Sequence, residues 1–252
     1  MNINKQLQLF LNWLLKGEIV PLSVDGVIGE KSIRAIQLAI TRLQKEFAKR
    51  GWHWDEKFNF IGIRTDDDFD NSFDDFFVCY AYGTLIACEA STVSGMQGVK
   101  NGPNKWHKGV NGTLVIQADQ QIDYLFVDPK DKNSQAFLEK IFAGNTAQAN
   151  AFKNWSGGAF LYQNNNFYYL RDNNGDNIID YTKVYYGGAW EIGGNIHSWK
   201  NFEGQTVDSL SEGCNVTNWN WWENHITPLF RKFHQDYNIR YSLMKIDNNA
   251  FV

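Results

Sequence analysis

The chain has no run of eighteen apolar residues, so no transmembrane helix is predicted. It also lacks a basic cluster: 24 Lys and Arg stand against 28 Asp and Glu, for a formal net charge of −4. That balance leaves no electrostatic footprint for nucleic acid and no tract for an anionic membrane surface. Cysteine is scarce. Cys79, Cys88 and Cys214 lie far apart and form no disulfide framework, which fits a chain made and stored in a reducing cytosol. The first six residues carry no basic cluster, and the apolar stretch that follows is interrupted by Asn12 and Lys16, so no Sec signal is expected. His-x-x-x-His and Cys-x-x-Cys spacings are absent, which argues against a zinc amidase or metallopeptidase. No cofactor and no metal site is predicted.

What is present divides the 252 residues in two. In the first fifty, Leu7, Phe10, Leu11, Leu14 and Leu15 fall at helical spacing. A segment punctuated by Asp25-Gly26 and Ile28-Gly29 follows, and then a second helix with Ile33, Ile36, Ile40, Leu43 and Phe47 along one face. Beyond Lys49-Arg50-Gly51, aromatic and β-branched runs alternate with Gly, Asn and Asp turns. Strands are predicted at 60–64 and 112–117. A helix is predicted over 222–237, with Ile226, Leu229, Phe230 and Phe233 inward. The expected fold class is α+β: a small helical domain over 1–50, then a mainly β domain over 55–252 with a C-terminal helix.

Two acidic stretches invite a metal reading. Six aspartates fall between 66 and 75, but no His is interleaved and the spacing fits no EF-hand loop. Asp172, Asn174, Asp176 and Asp180 occupy alternate positions of a calcium-type loop. Asn177 stands where glycine belongs, and Lys183 where a bidentate acid belongs. A hairpin between two aromatic strands explains the second stretch.

The chemistry-bearing pair lies near the end. Cys79 and Cys88 sit in apolar runs that read as buried strands, whereas Cys214 sits in Ser211-Glu212-Gly213-Cys214-Asn215, a polar setting that favours exposure and reactivity. A free thiol has a pKa of about 8.5 and is a poor nucleophile at neutral pH. An imidazole can take its proton, and His197 stands seventeen residues upstream. Gly213 lets the backbone turn sharply, so that successive amides can point at a developing oxyanion.

His197, a small residue after it, a gap of this length and then Ser-x-Gly-Cys resemble the signature of the L,D-transpeptidases, the YkuD-like catalytic domains that act on peptidoglycan stem peptides. The resemblance implies Cys214 as nucleophile, His197 as base, Ser198 orienting the imidazole, and amides at Gly213 and Cys214 as the oxyanion hole. It implies Ser211 and Asn215 at the substrate. Many members carry His where Glu212 stands, and Arg or Asn where Val216 stands. Val-Asp-Gly-Val-Ile-Gly-x-x-Ser ahead of a helix resembles a small peptidoglycan-binding domain. A Gly-Ile-Arg strand, an Asp/Asn loop, a Thr92-Val93-Ser94-Gly95 turn and an Arg-Asp-Asn-x-x-Asp segment, in that order before Asn-Ile-His and Ser-x-Gly-Cys, resemble phage and prophage wall-lytic proteins.

The expectation is a cysteine enzyme acting on peptidoglycan by hydrolysis or transpeptidation. It would be made in the cytoplasm and reach the wall through phage lysis or injection, without nucleic-acid partners or membrane insertion. Two alternatives stand beside it: a catalytically inactive peptidoglycan-binding or virion structural protein, and a cysteine peptidase acting on protein.

Overall fold

Every second residue of Phe58-Asn59-Phe60-Ile61-Gly62-Ile63-Arg64 points to the same side of an extended chain. Both sets are buried here, which requires cover on each face. The computed structural model describes residues 2–65, 73–93, 114–141, 158–163, 165–171, 181–187, 194–199, 214–233 and 238–246. In it this segment is β1 (Phe58–Arg64), one stave of a closed barrel. The other staves are β2 (Asp75–Ala81), β3 (Thr84–Ser91), β5 (Gln120–Val127), β6 (Phe160–Gln163), β9 (Ile196–Trp199), β10 (Asn215–Asn218) and β11 (Asn238–Lys245). Around the wall the order is β1-β11-β5-β6-β9-β10-β3-β2. Closure leaves none of these strands with an open edge. A second sheet, β4 (Leu114–Ile116), β7 (Phe167–Arg171) and β8 (Tyr185–Gly187), has the order β4-β7-β8.

The lumen changes character along its length. Phe58, Phe60, Phe77, Tyr124, Phe126 and Tyr241 belong to one buried cluster. Trp222, Ile226 and Phe230 join it from a helical run made of α3 (Trp219–Trp221), a π-helical stretch (Trp222–Ile226) and α4 (Thr227–Phe233). This run plugs the barrel where β1 begins, with the Phe230 ring 5.2 Å from that of Phe60. Leu229 and Phe233 pack partly buried against the same cluster. At the opposite end, where β1 finishes, the inward positions turn polar: Arg64, Asp75, Thr92 and Asn215 are all buried. Leu114, Ile116, Phe167 and Tyr169 of the second sheet join the barrel's cluster there.

The outer face of the same staves is covered by α1 (Ile3–Leu14) and α2 (Glu30–Lys49). Phe10, Leu11, Leu14, Ala35, Ala39, Leu43 and Phe47 share one cluster with Ile61, Ile63, Phe76, Val78, Leu85, Ala87 and Met244. The first fifty residues thus bury their apolar side chains jointly with the barrel wall. α1 is tied to β3 by Gln6, which accepts from the Glu89 backbone N–H at 3.0 Å and donates to the Glu89 carboxylate at 3.0 Å. Along another line of α1, Asn4, Gln8 and Asn12 hold the 22–27 segment: Asn4 donates to Gly26 O, Gln8 accepts from Gly26 N, and Asn12 accepts from Leu22 N. Gly26 has φ +85°, and a Cβ there would stand 2.7 Å from Asn2 Nδ2. Both facts require glycine in the Asp25-Gly26 pair.

Two expectations are corrected. The inward face of α2 carries Ser32, Ala35, Ala39, Leu43 and Phe47, while Ile33 is exposed and Ile36 and Ile40 are half-buried. Small Ala side chains let the helix approach its neighbours closely, and that contact outweighs the larger moment of the isoleucines. The predicted C-terminal helix, whose residues 234–237 lie outside the described residues, is not the last element: the chain returns as β11, inserted between β1 and β5. β11 pairs parallel with β1 and antiparallel with β5, so the last described element closes the barrel. Among the described residues no helix is long and apolar enough to cross a membrane.

Candidate functional site

β9 and β10 lie side by side and run parallel, with His197 opposite Val216 and Ile196 opposite Asn215. Cys214 stands one residue ahead of β10 and two ahead of Val216. Asn215 N donates to Asn195 O at 2.9 Å, which fastens the peptide after Cys214 to the residue two before His197. Parallel pairing thereby brings two segments seventeen residues apart to the same end of the barrel. Ser211 and Gly213 lie outside the described residues, as do the 66–72 and 172–180 stretches. β7 and β8, which flank the latter, pair antiparallel.

His197 is buried. Burial pulls its imidazole below the ordinary histidine value, and the contact with the Ser198 carbonyl opposes that shift. The ring's Nδ1 lies 3.2 Å from Ser198 O. A carbonyl only accepts, so the proton belongs on Nδ1 and the lone pair on Nε2, the form a proton acceptor needs. Ser198 therefore meets the ring through its backbone; its own Oγ is fully buried and has no hydrogen-bond partner among the described residues. Burial therefore favours the neutral form of the base.

Cys214 is half-buried, whereas Cys79 and Cys88 are buried in β2 and β3. Burial pushes the Cys88 thiol up to about 12 and raises Cys79 as well, which suits inert, apolar packing. The Tyr124 hydroxyl is pushed up first by burial and secondarily by Cys214. The Tyr124 hydroxyl donates to Gly194 O at 2.8 Å.

Asn215 is buried, and both ends of its amide meet protein groups. Its Oδ1 accepts from the Tyr241 hydroxyl at 2.9 Å, and its Nδ2 donates to Thr92 O at 3.1 Å. Thr92 is itself a junction. Its N–H and hydroxyl donate to Asp75 at 2.7 and 2.6 Å, and Arg64 Nε donates to its Oγ1 at 3.0 Å. Arg64 Nη2 donates to Thr92 O and to Ile116 O, each at 2.8 Å. Burial raises the Asp75 carboxyl, and Arg64 and the Thr92 and Thr65 donors draw it back. Gly62 belongs to the same assembly, because a Cβ there would stand 1.8 Å from the Tyr241 hydroxyl oxygen.

Sequence reasoning singled out Gly-Ile-Arg without a role for it, weighed Asp75 only as part of an acidic metal-type stretch, and passed over Tyr124 and Tyr241. The available signal was an arginine on the inward phase of an otherwise apolar strand. No family model matches the chain, and no curated protein or solved structure matches it.

A cavity of about 490 Å³ lined by His53, Asp55, Asn59, Gln121, Asp123 and Arg240, among others, lies elsewhere. It sits on the outer wall over β11 and β5, across the barrel from β9 and β10. Trp221 and Trp222 are core residues of the plugged end and are likewise remote from Cys214.

The depressed imidazole has a pH consequence. Above pH 6.5 His197 is neutral both folded and unfolded. Below it the unfolded chain binds a proton that the folded chain refuses, so stability falls as the pH drops toward the lower folded value. Thermal melts between pH 7.5 and 5 are expected to lose more stability in the wild type than in His197→Gln. Equal loss in both would show that burial of this ring is not felt. At pH 7, His197→Ala is expected to slow alkylation of Cys214 while His225→Ala leaves it unchanged.

Proposed function

We propose that this chain is a cysteine enzyme of L,D-transpeptidase-like type, acting on the stem peptides of peptidoglycan through a Cys214 thioester. The observation that carries the reading is the parallel β9–β10 pair, which sets a half-buried thiol beside a segment bearing a buried imidazole. The thiol sulfur attacks a stem-peptide carbonyl carbon, and His197 takes the thiol proton. The carbonyl oxygen gains negative charge, and backbone amides around Gly213 and Cys214 are the donors proposed to meet it. As the C–N bond breaks, His197 returns the proton to the leaving amine. Water then resolves the thioester to give hydrolysis, or a second amine does so to give a cross-link.

The 20–27 segment supports the same substrate. It runs into the Val24–Ser32 stretch that resembles a wall-binding domain, and it leaves Val20, Val24 and Val27 exposed while α1 holds its backbone. Such an apolar edge suits a sugar or peptide face on an insoluble polymer.

The test is mass spectrometry of muropeptides after incubation with purified protein. Shortened or newly joined stem peptides, missing in Cys214→Ala, are expected. Unchanged muropeptides, together with a Cys214 no more reactive than an ordinary exposed thiol, would favour a binding or structural role. Turnover of a protein panel in place of muropeptides would favour a general cysteine peptidase.

A further inference from the structure

Two tyrosines reach across the lumen toward the strands that carry the candidate site. Tyr241 extends from β11, opposite β10 in the closed wall, to Asn215; Tyr124 extends from β5 to Gly194, ahead of β9. Their rings meet edge to face with centroids 6.0 Å apart. Gly62 clears the space for the first hydroxyl. Asn215 is also held by Thr92, which Asp75 and Arg64 fix in turn. The residue directly after Cys214 is therefore tied to three parts of the wall: Asn195 beside it, Tyr241 across from it and Thr92 after β3.

We propose that Tyr241 and Tyr124, acting through Asn215 and Gly194, are positioning residues that hold the backbone of the Cys214 nucleophile in register with that of His197. The proposal rests on the reading of Cys214 as the nucleophile and deepens it. Each phenol acts on the chain beside a reacting residue. The geometry matters because proton transfer from a thiol and attack on a carbonyl both depend on placement within fractions of an ångström. Burial keeps both phenols protonated, so each remains a donor across the working pH range. The same assembly gives a role to the Gly-Ile-Arg segment: Gly62 admits the hydroxyl and Arg64 fixes the Thr92 turn on which Asn215 rests.

Tyr241→Phe and Tyr124→Phe each remove one oxygen and keep the ring, so the packing of the lumen survives. Removing the Tyr241 hydroxyl leaves Asn215 Oδ1 buried without its donor. Loss of that hydrogen bond is expected to lower kcat about tenfold with KM within about twofold. Alkylation of Cys214 by iodoacetamide, followed by mass spectrometry from pH 5 to 9, should slow near neutrality and shift toward the profile of a free thiol. Cys79→Ala supplies the comparison: it lies in the same lumen, belongs to none of these hydrogen bonds, and should lower the melting temperature without changing the alkylation profile.

Wild-type Cys214 that alkylates no faster than a cysteine peptide at pH 7 would sink the nucleophile reading itself. A fast wild type with unchanged kcat and unchanged alkylation in both Tyr→Phe variants would overturn the positioning role alone. So would a loss in those variants matched by Cys79→Ala at equal loss of melting temperature.

Discussion

Cys214→Ala is expected to abolish wall-peptide turnover, by a factor on the order of 10⁴ or more, while the melting temperature stays within about 2 °C of wild type. The chemical loss is complete because alanine offers no lone pair to the carbonyl. The structural loss is small because Cys214 is half-buried and alanine adds no atoms. Cys79→Ala and Cys88→Ala should show the reverse. Both thiols are buried in the lumen, and Cys88 Sγ lies 3.4 Å from Thr217 Oγ1. Deleting either sulfur leaves a small void, costing about 1–2 kcal/mol and a few degrees in Tm, with activity retained. Muropeptide turnover beside calorimetry for the three variants separates the roles. Full activity in Cys214→Ala would sink the mechanism.

Phe10→Ala is expected to destabilise the whole protein and not the first fifty residues alone. Phe10 is completely buried in α1, and its ring meets that of Phe76 on β2 edge to face at 5.3 Å. A truncation of this kind costs about 3–5 kcal/mol, equivalent to roughly 6–20 °C in a chain of this size. The shared cluster makes the loss common to helix and barrel: Ile61, Ile63, Val78 and Met244 lose cover if α1 lifts away. Calorimetry should record one transition shifted as a unit. Two transitions, only the lower one moved, would show that the helical layer and the barrel unfold independently. The coupling also bears on wall binding, since a version lacking residues 1–50 would bare an apolar barrel face and aggregate, which confounds sedimentation assays. Substitutions at Val20, Val24 and Val27 probe wall affinity without that cost.

Much of the local structure was legible. Leu7, Phe10, Leu11 and Leu14 announce α1 by spacing, and all four are buried. A short run of aromatic and β-branched residues announces β1, and the apolar surroundings of Cys79 and Cys88 announce their burial. The inward side of the 222–237 helix was readable too, as Phe230 is buried and Leu229 and Phe233 are partly so. The face of α2 was not readable, because a hydrophobic stripe records what a helix is able to bury and not how closely its neighbours allow it to approach. β11 was also missed. Asn238-Ile239-Arg240-Tyr241-Ser242-Leu243-Met244-Lys245 alternates as a strand should, but its position after a helix hid a role that only pairing with β1 and β5 reveals.

By itself the sequence determined the elements that depend on neighbours within a few residues: helix periodicity, strand alternation, the Asp25-Gly26 turn and the contrast in setting between Cys214 and the other two cysteines. Tertiary structure decided everything that depends on what lies across a gap. It closed the sheet into a barrel, laid α1 and α2 on its outer wall, and set β9 beside β10 in parallel. It made Gly62 necessary through a tyrosine almost 180 residues away, and it turned Arg64, Asp75, Thr92 and Asn215 into one buried assembly. The reason is physical. Backbone preferences act over single turns, whereas burial of a polar group is tolerated only when distant segments supply its hydrogen-bond partners, and those partners exist only once the chain has folded.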